Sequence, residues 1–411
     1  MNLKINNSKM SSWLTISLFM LLGIPTLMIS LANVSGLTPV ISVLIFGIGI
    51  VGAAFLITWA AEAAQVDVSA SFAIAILALI AILPEYAVEA VLSWEAGQAY
   101  IQAINSGWVF EAGSKVPPEM ERVAANVTGA NRLLIGLGWA AVILIYWIKR
   151  RKPLDLNGSM GLEITMLIIA TAVTFIIFYM QQVHIVIGFA LIALYLIYLY
   201  ISSTREPEEP ELMGPSLTIG TQSKWVRRSI VLSLFVYSAI VIVVAAEPFV
   251  HSLVESGTAL GIDEFVLIQW IAPLASESPE IIIAILFSLR SNPIAGLTAL
   301  VSSEVNQLTL LVGSMMGIFS LSAGTLVSFT LNEMQSVEFL LTAAVSVLAI
   351  VLLLSKKIDW KAGVILLVLF IVHLPFTDIE SRRYFVYIYL TFAVVIGIFQ
   401  LYKWKIDSSV D

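Results

Sequence analysis

Long apolar runs, separated by short polar or Pro/Gly-containing breaks, extend along nearly the whole chain. A membrane-spanning helix needs about 20 consecutive apolar residues to cross the hydrocarbon core of a bilayer, and most of the runs reach that length. The pattern predicts an all-α polytopic membrane protein. Its twelve expected spans are residues 13–33, 38–66, 69–94, 119–148, 160–180, 183–203, 229–254, 263–290, 293–319, 336–355, 360–376 and 383–403.

The composition narrows the class of protein. Of 411 residues, 59% are hydrophobic and only 12% are charged, and there is no cysteine. These values exclude a water-soluble enzyme, a disordered protein and a disulfide scaffold. The net charge of −7 and the absence of a basic block outside short loops argue against nucleic-acid binding. We expect no cofactor, and no feature indicates an obligate protein partner.

The cationic residues predict the orientation of the chain. With the amino terminus in the cytoplasm and twelve alternating spans, sixteen lysines and arginines face the cytoplasm. Lys115, Arg122, Arg382 and Arg383 face outward, and Arg132 lies inside a span. The bias predicts two cytoplasmic termini, a cytoplasmic linker at 204–228 and a location in the cell membrane.

Two short motifs recur in both halves of the chain. Leu83–Glu85 reads LPE and Ser278–Glu280 reads SPE. Further along, residues 131–133 align on residues 306–308 at an offset of 175 without a gap. Because twelve spans place the two copies in opposite orientation, the sequence predicts an inverted duplication, as in many secondary transporters.

Prolines and acidic residues mark the expected site. Pro84, Pro273 and Pro279 interrupt apolar runs, and such breaks free backbone groups to line a polar cavity. A carboxylate inside the bilayer is costly and is therefore a functional hypothesis by default. Five glutamates meet this description: Glu85, Glu89, Glu277, Glu280 and Glu304.

Spacing joins these glutamates to other oxygen-bearing side chains. Residues three or four apart share a helical face, and carboxylate, hydroxyl and amide oxygens suit hard cations such as calcium. The predicted metal ligands are Glu85, Thr128, Ser276, Glu277, Glu280, Ser303, Glu304 and Gln307. The predicted charge-compensating or coupling residues are Glu89, Asn131, Arg132 and Asn306. The alternative for any single carboxylate is burial against a structural partner.

These motifs resemble the cation/calcium exchanger superfamily of sodium/calcium and proton/calcium antiporters. The run 259–266 that leads into residues 275–280 is similar to the approach to that family's second α-repeat. The resemblance covers about 38–377 and implies a ten-helix core of two inverted five-helix repeats, 38–203 and 229–377. Their α-repeats would be at about 69–148 and 263–319, and one extra helix would flank the core at each end, in 1–37 and 378–411.

The resemblance also assigns residues by position. Glu85 and Glu280 match the family's two cation-binding glutamates, and Ser276 and Ser303 match ligand hydroxyls, with Thr128 as the counterpart of Ser303. The first α-repeat departs from the family pattern at Ala81 and Ile82, where the family has hydroxyl residues. In the second, Glu277 replaces a serine.

Arg132 is the main departure. It stands where the family has an asparagine or aspartate ligand, and Gln307 stands at the equivalent position of the second repeat. A guanidinium is always charged and only donates hydrogen bonds, so it cannot bind a cation. Our hypothesis places it beside Glu85 or Glu280 as an internal counter-charge that removes one sodium-type subsite. The alternative is a structural pair with a carboxylate outside the site.

The sequence therefore predicts a secondary antiporter that exchanges calcium or a related cation for sodium or protons by alternating access at carboxylates. In a proton-coupled form, Glu85, Glu277 or Glu280 would carry the proton. One alternative is a transporter of the same fold with another cargo, such as sodium/proton exchange or an anion attracted by Arg132. The other is an intramembrane enzyme acting on a lipid, but neither an Asp-rich diphosphate motif nor a nucleophile–histidine pair is present.

Overall fold

The computed structural model describes residues 2–32, 36–67, 83–156, 160–204, 212–289, 292–355 and 357–407, and these are almost entirely helical. The helices of the first half are α1 (Asn2–Leu31), α2 (Pro39–Ala64), α3 (Leu83–Asn105), α4 (Pro118–Leu133), α5 (Ala140–Arg150), α6 (Gly161–Met180), α7 (Ile185–Ser203) and α8 (Pro215–Gly220). Those of the second half are α9 (Lys224–Leu260), α10 (Glu264–Leu289), α11 (Pro293–Asn306), α12 (Val312–Ser322), α13 (Glu333–Leu353), α14 (Trp360–His373) and α15 (Ile379–Asp407). The expectation of an all-α membrane protein is confirmed.

Two π-helical segments join helices into longer spans. Leu134–Trp139 connects α4 to α5, and Gln307–Leu311 connects α11 to α12. Segments of this kind are rare and are concentrated at functional sites. The first begins directly after the aligned motif 131–133, and the second begins within its counterpart 306–308.

The described part of the chain contains four two-residue strands, which the sequence did not predict and which reveal the relation between the halves. They are β1 (Leu154–Asp155), β2 (Gln182–Val183), β3 (Phe329–Thr330) and β4 (Lys357–Ile358). The offset of 175 that aligns the motifs places β1 on β3 and β2 on β4. The observed antiparallel pairs are β1 with β4 and β2 with β3. This exchange of partners is what a two-fold relation between the halves produces.

The helix boundaries follow the same offset. Helix α4 begins at Pro118 and α11 at Pro293, each with proline in the first turn, where its missing N–H costs nothing. Helices α6 and α7 correspond in the same way to α13 and α14.

Within the described residues, nine helices are long and apolar enough to cross a membrane, or ten if α10 is one span interrupted at Pro279. Helix α14 is apolar but shorter. The first part of the expected span 69–94 lies outside the described residues. The total of twelve spans therefore stays a prediction.

The chain divides into two compact units. The first unit comprises Met1–Val91 and Leu196–Pro279. Its core lies between α1, α2 and α9, where Phe55 and Trp59 of α2 pack with Phe19 of α1, the Phe19 and Phe55 rings edge-to-face at 4.8 Å. At the end of α2, Asp67 accepts two hydrogen bonds from Arg227 of α9, at 2.7 and 2.8 Å.

The second unit comprises Leu92–Tyr195 and Glu280–Asp411. Helix α13 is its central element and packs against α4, α6 and α15. The asparagine cap at Asn332 and its reciprocal bond with Gln335 fix where α13 begins. Most of α13 is buried, because neighbouring helices rather than lipid surround it.

Three sequence-based boundaries need correction. The expected linker 204–228 contains the short helix α8, and α9 begins inside it at Lys224; its acidic stretch, 205–211, lies outside the described residues. Helix α3 continues to Asn105, well past the expected end at 94. Arg382, assigned to the outer loop, lies in α15 and is fully buried.

Candidate functional site

The predicted residues of α3, and those of α10 that precede Pro279, are buried in the first unit. On α3, Glu85 is 4% exposed, and Glu89, one turn further along the helix, is 1% exposed. Ser276 and Glu277 of α10 are 5% and 2% exposed. A buried carboxylate is costly as a charge, so groups at such positions are suited to exchange a proton for a cation.

Helix α10 is interrupted directly after these residues. Pro279 separates the helical segments Glu264–Ser278 and Glu280–Leu289. Because proline has no N–H, it cannot bond to the carbonyl of Ala275, and the hydroxyl of Ser278 donates to that oxygen instead, at 3.4 Å. Ser276 donates to the carbonyl of Ala272 at 3.2 Å. Of the three predicted interruptions, Pro279 coincides with a break, Pro273 lies within the described α10, and Pro84 lies in the first turn of the described α3.

The predicted residues of α4, in the second unit, donate hydrogen bonds to atoms of their own helix. Thr128 donates to the carbonyl of Ala124 at 2.6 Å. Arg132 donates from Nε to the carbonyl oxygen of Thr128 at 3.0 Å and from Nη2 to its hydroxyl at 3.4 Å. Asn131 donates to the carbonyl of Val127 at 3.0 Å. These bonds hold the side chains of α4 against their own helix.

The counterparts on α11 and the following π-helical segment are arranged differently. Ser303 is half-buried, whereas Glu304, Asn306 and Gln307 are buried. The carboxyl of Glu304 accepts a hydrogen bond from Ser346 of α13 at 2.9 Å, and its second oxygen, Oε2, has no hydrogen-bond partner among the described residues. Glu280, at the start of the second segment of α10, is half-buried.

Arg132 makes an ion pair that the sequence analysis did not identify. Its Nη2 contacts Oε2 of Glu338 on α13. The other oxygen of Glu338, Oε1, lies 2.6 Å from Nε of Arg382 on α15. All three side chains are completely buried, and we call them the buried cluster. Glu338 is thus a carboxylate outside the predicted ligand set.

A signal for Glu338 was present in the sequence. The residue lies inside the expected span 336–355, so the rule that selected the five glutamates applies to it equally. Glu163, inside the expected span 160–180, was overlooked in the same way. It is 5% exposed on α6 and is related to Glu338 by the offset of 175.

The described residues contain no group of three or more His, Cys, Asp or Glu side chains that could hold a metal ion. The predicted ligands are divided between the two units, and four of the eight are serine, threonine or glutamine, which such a group does not count. The assembly of these ligands into one site stays a prediction.

Similarity to known proteins identifies the family. The model of the sodium/calcium exchanger protein family matches residues 37–204 and 230–377. The chain belongs to this family. The two matched ranges exclude α1 and α15, the helices at either end. No curated protein matches the chain significantly.

Solved structures give the same assignment. The chain is 37% identical to the H⁺/Ca²⁺ exchanger CAX over 98% of its own length and all of that chain, with a TM-score of 0.86. The Ca²⁺/H⁺ antiporter protein YfkE matches at 17% identity, over 88% of this chain and 98% of that one, with a TM-score of 0.58. The sodium-calcium exchanger NCX_Mj matches at 17% identity, over 81% and 96%, with a TM-score of 0.50.

The last two matches show the fold only, whereas the first also shows the family. The chain is an integral membrane protein and a cation/calcium antiporter, not an enzyme. The predicted resemblance to the cation/calcium exchanger superfamily is confirmed.

Proposed function

We propose that this antiporter exchanges Ca²⁺ for protons. The observation that supports the choice of ions is the 37% identity to the H⁺/Ca²⁺ exchanger CAX along almost the full length of both chains. The sodium-calcium exchanger NCX_Mj is similar at a level that informs only about fold. Protons are therefore the favoured coupling ion, and sodium is the alternative for the experiment to decide.

The chemistry of the buried side chains suits this exchange. Glu85 and Glu277 are carboxylates withdrawn from water, and each can be neutralised by a proton or can ligate a divalent cation. One set of carboxylates cannot do both at once, so Ca²⁺ and protons compete. Exposure of the competing site to each side of the membrane in turn converts a proton gradient into calcium movement.

In this proposal Glu85 and Glu280 are the principal Ca²⁺ ligands. Ser276, Ser303 and Gln307 add neutral oxygens, and Glu277 and Glu304 add further carboxylate oxygens. Glu85, Glu277 or Glu280 carries the proton on the return step. The break in α10 at Pro279 lies between Glu277 and Glu280, and freed backbone groups at such a break are available to ions.

The proposal also includes the membrane, the orientation of the chain and its partners. The exchanger works in the cell membrane with both termini in the cytoplasm, as the bias of cationic residues predicts. Its partners are inorganic cations and the lipid bilayer, and it needs neither a cofactor nor an obligate protein partner.

The test uses the purified full chain in proteoliposomes with radioactive calcium. We expect calcium uptake when a proton gradient is imposed and none when a sodium gradient alone is imposed. Uptake driven only by sodium would replace protons with sodium as the coupling ion. No uptake with either gradient would refute calcium exchange.

Two variants test the ligands with a matched control. Glu85→Gln and Glu280→Gln keep the side-chain size but remove the charge, and each should abolish uptake. Glu333→Gln alters an exposed glutamate of α13 and should transport normally. Normal transport by both ligand variants would contradict the proposed site while leaving calcium exchange intact.

A further inference from the structure

The buried cluster has an unusual charge. Two guanidinium groups, from Arg132 and Arg382, contact the single carboxylate of Glu338, and all three side chains are 0% exposed. Arginine stays protonated even when buried, so the three side chains together carry one net positive charge. His373 of α14 and Tyr389 of α15, which share a hydrogen bond of 3.3 Å, also face the guanidinium groups.

The cluster is connected to the predicted ligand Thr128 through two hydrogen bonds that Arg132 donates. Nη2 of Arg132 is 3.4 Å from Oγ1 of Thr128, and the proton of that hydroxyl is directed to the carbonyl of Ala124. The backbone oxygen of Thr128 is engaged as well, because it accepts from Nε of Arg132 and from the hydroxyl of Thr342 at 3.4 Å. Both the hydroxyl oxygen and the carbonyl oxygen of Thr128 therefore accept hydrogen bonds from Arg132.

A cation at this position would meet a like charge. A cation bound to Oγ1 of Thr128 at about 2.4 Å would lie within about 6 Å of Nη2 of Arg132, because that nitrogen is 3.4 Å from the same oxygen. Inside a protein, two unit charges at that separation repel each other strongly. The guanidinium and a bound cation exclude each other.

The second half of the chain carries no such charge at the related position. The offset of 175 places Arg132 on Gln307, Thr128 on Ser303 and Glu338 on Glu163. Gln307 is buried but neutral, and its amide oxygen can bind a cation. Ser303, which is related to Thr128, is half-buried. The two halves have corresponding helices, but at this position the first half carries a positive charge and the second half does not.

We propose that Arg132 excludes a cation from the oxygens of α4, and that Glu338 and Arg382 are positioning residues that hold its guanidinium there. The exchanger then binds one cation fewer than two equivalent halves would bind. Arg132 is thus a determinant of ion stoichiometry. This inference rests on the proposed function only for its transport readout.

Arg382 connects the C-terminal helix α15 to the buried cluster. It reaches Glu338 from α15, which lies beyond the range matched by the family model. If Arg382 were absent, Arg132 would be the cationic partner that remains for Glu338, and the two arginines would no longer compete for its carboxylate. We therefore expect Arg382 to tune the position of Arg132 and not to contact the ion itself.

The decisive variant is Arg132→Gln, which installs the residue type of the other half. We measure radioactive sodium bound to the purified full chain by equilibrium dialysis, and the charge moved per Ca²⁺ in proteoliposomes. The variant should bind Na⁺ at least about tenfold more tightly than the parent, with additional Na⁺ per protein and a changed charge per Ca²⁺. Arg132→Lys keeps a positive charge beside Glu338 but loses the fork of donors, so its Na⁺ binding should stay closer to that of the parent than to that of Arg132→Gln.

The positioning residues are tested beside a matched control. Arg382→Gln should shift Na⁺ binding in the same direction as Arg132→Gln but by less. Arg383→Gln, one residue further on, breaks an exposed ion pair between the same two helices, Arg383 with Glu333 at 2.8 Å, and should change neither readout. A merely structural role for Arg382 would leave Na⁺ binding unchanged in the folded variant.

Folding is controlled separately. If Arg132→Gln does not fold, the triple variant Arg132→Gln/Glu338→Gln/Arg382→Gln removes the whole cluster without leaving an unpaired charge, a change that proteins often tolerate. A folded Arg132→Gln or triple variant with the parent's Na⁺ binding and charge per Ca²⁺ would overturn the proposal. If the parent protein moved no calcium, calcium exchange would fail, and the Na⁺-binding comparison would still decide the role of Arg132.

Discussion

Oε1 of Glu338 lies 2.6 Å from Nε of Arg382, and both side chains are completely buried. The pair joins α13, the central helix of the second unit, to α15, the helix at the C-terminal end. Buried charges are costly unless they are paired, so the energetic role of each member depends on what its removal leaves behind.

The first prediction is an order of stabilities. Glu338→Gln leaves two buried guanidiniums without their carboxylate and should cost about 3–5 kcal/mol. Arg382→Gln leaves the pair of Arg132 with Glu338 intact and should cost less. Arg383→Gln breaks an exposed pair and should cost less than about 1 kcal/mol. Thermal unfolding in detergent gives the order, and an equal loss for Arg382→Gln and Arg383→Gln would contradict it.

The second prediction concerns close packing of α10 on α11 in the second unit. A Cβ added at Gly296 would lie 2.6 Å from the carbonyl oxygen of Ala284, and a backbone atom cannot move aside as a flexible side chain can. Gly296→Ala should therefore cost about 1–3 kcal/mol and reduce the yield of folded protein.

Gly317 provides the control for this prediction. It lies on α12, in the same apolar stretch Pro293–Ser322, and a Cβ there would meet nothing within 4 Å. Gly317→Ala should be neutral or slightly stabilising. Size-exclusion profiles and unfolding temperatures of the two variants make the comparison. Equal stability would show that the backbones are not in close contact.

The third prediction is a pH dependence at the end of α2. The Arg227 guanidinium, which donates two hydrogen bonds to the carboxylate of Asp67, holds the pKa of Asp67 below its ordinary value of 3.8. A carboxyl with a lowered pKa in the folded state stabilises the protein above its unfolded pKa, and this contribution is lost as the pH falls through the folded pKa.

Asp67→Asn should therefore lower the unfolding temperature near neutral pH, and the difference from the parent should shrink as the pH falls below about 4. Arg228→Gln is the control, because Arg228 lies further from Asp67, at 3.6 Å, and is more exposed than Arg227. Its effect should be smaller at every pH. A difference for Asp67→Asn that grew on acidification would have the wrong sign.

The fourth prediction concerns the hydrogen bond from Ser346 to Glu304. If Glu304 is a ligand, this bond orients its carboxylate, and Ser346→Ala should weaken Ca²⁺ binding severalfold while the protein stays folded. Isothermal titration with Ca²⁺ measures the change.

Thr171 is the matched control for Ser346. It is related to Ser346 by the offset of 175 and is buried on α6, but the residue related to Glu304 is Gly129, which has no carboxylate to orient. Thr171→Ala should leave Ca²⁺ affinity unchanged. A similar loss in both variants would indicate a general packing effect instead of a specific role of Ser346.

Much of the fold could be predicted from the sequence, because a helix that crosses a bilayer needs about 20 consecutive apolar residues. The runs 161–180 and 333–353 were expected within three residues of their observed limits. The short strands could not be predicted, because two residues carry no periodicity and their pairing partners are more than 140 residues apart. Helix α8 was missed for the same reason, as six residues give too little pattern.

The candidate site was predicted in part. The rule against carboxylates in a bilayer selected Glu85, Glu277 and Glu304, which are all buried. The same rule applied to Glu338, inside the expected span 336–355, but the sequence analysis did not select it. Arg382 was misplaced because a cation next to an expected loop is normally a topology signal.

By itself, the sequence determined the membrane setting, the positions of most apolar helices and the duplicated motifs, and it selected the candidate ligands, because these depend on local composition and spacing. Only the tertiary structure decided which carboxylate meets Arg132. Glu338 lies 206 residues away along the chain, and Arg382 lies 44 residues beyond it. Helix packing brings the three together, and no local pattern encodes a contact across that distance.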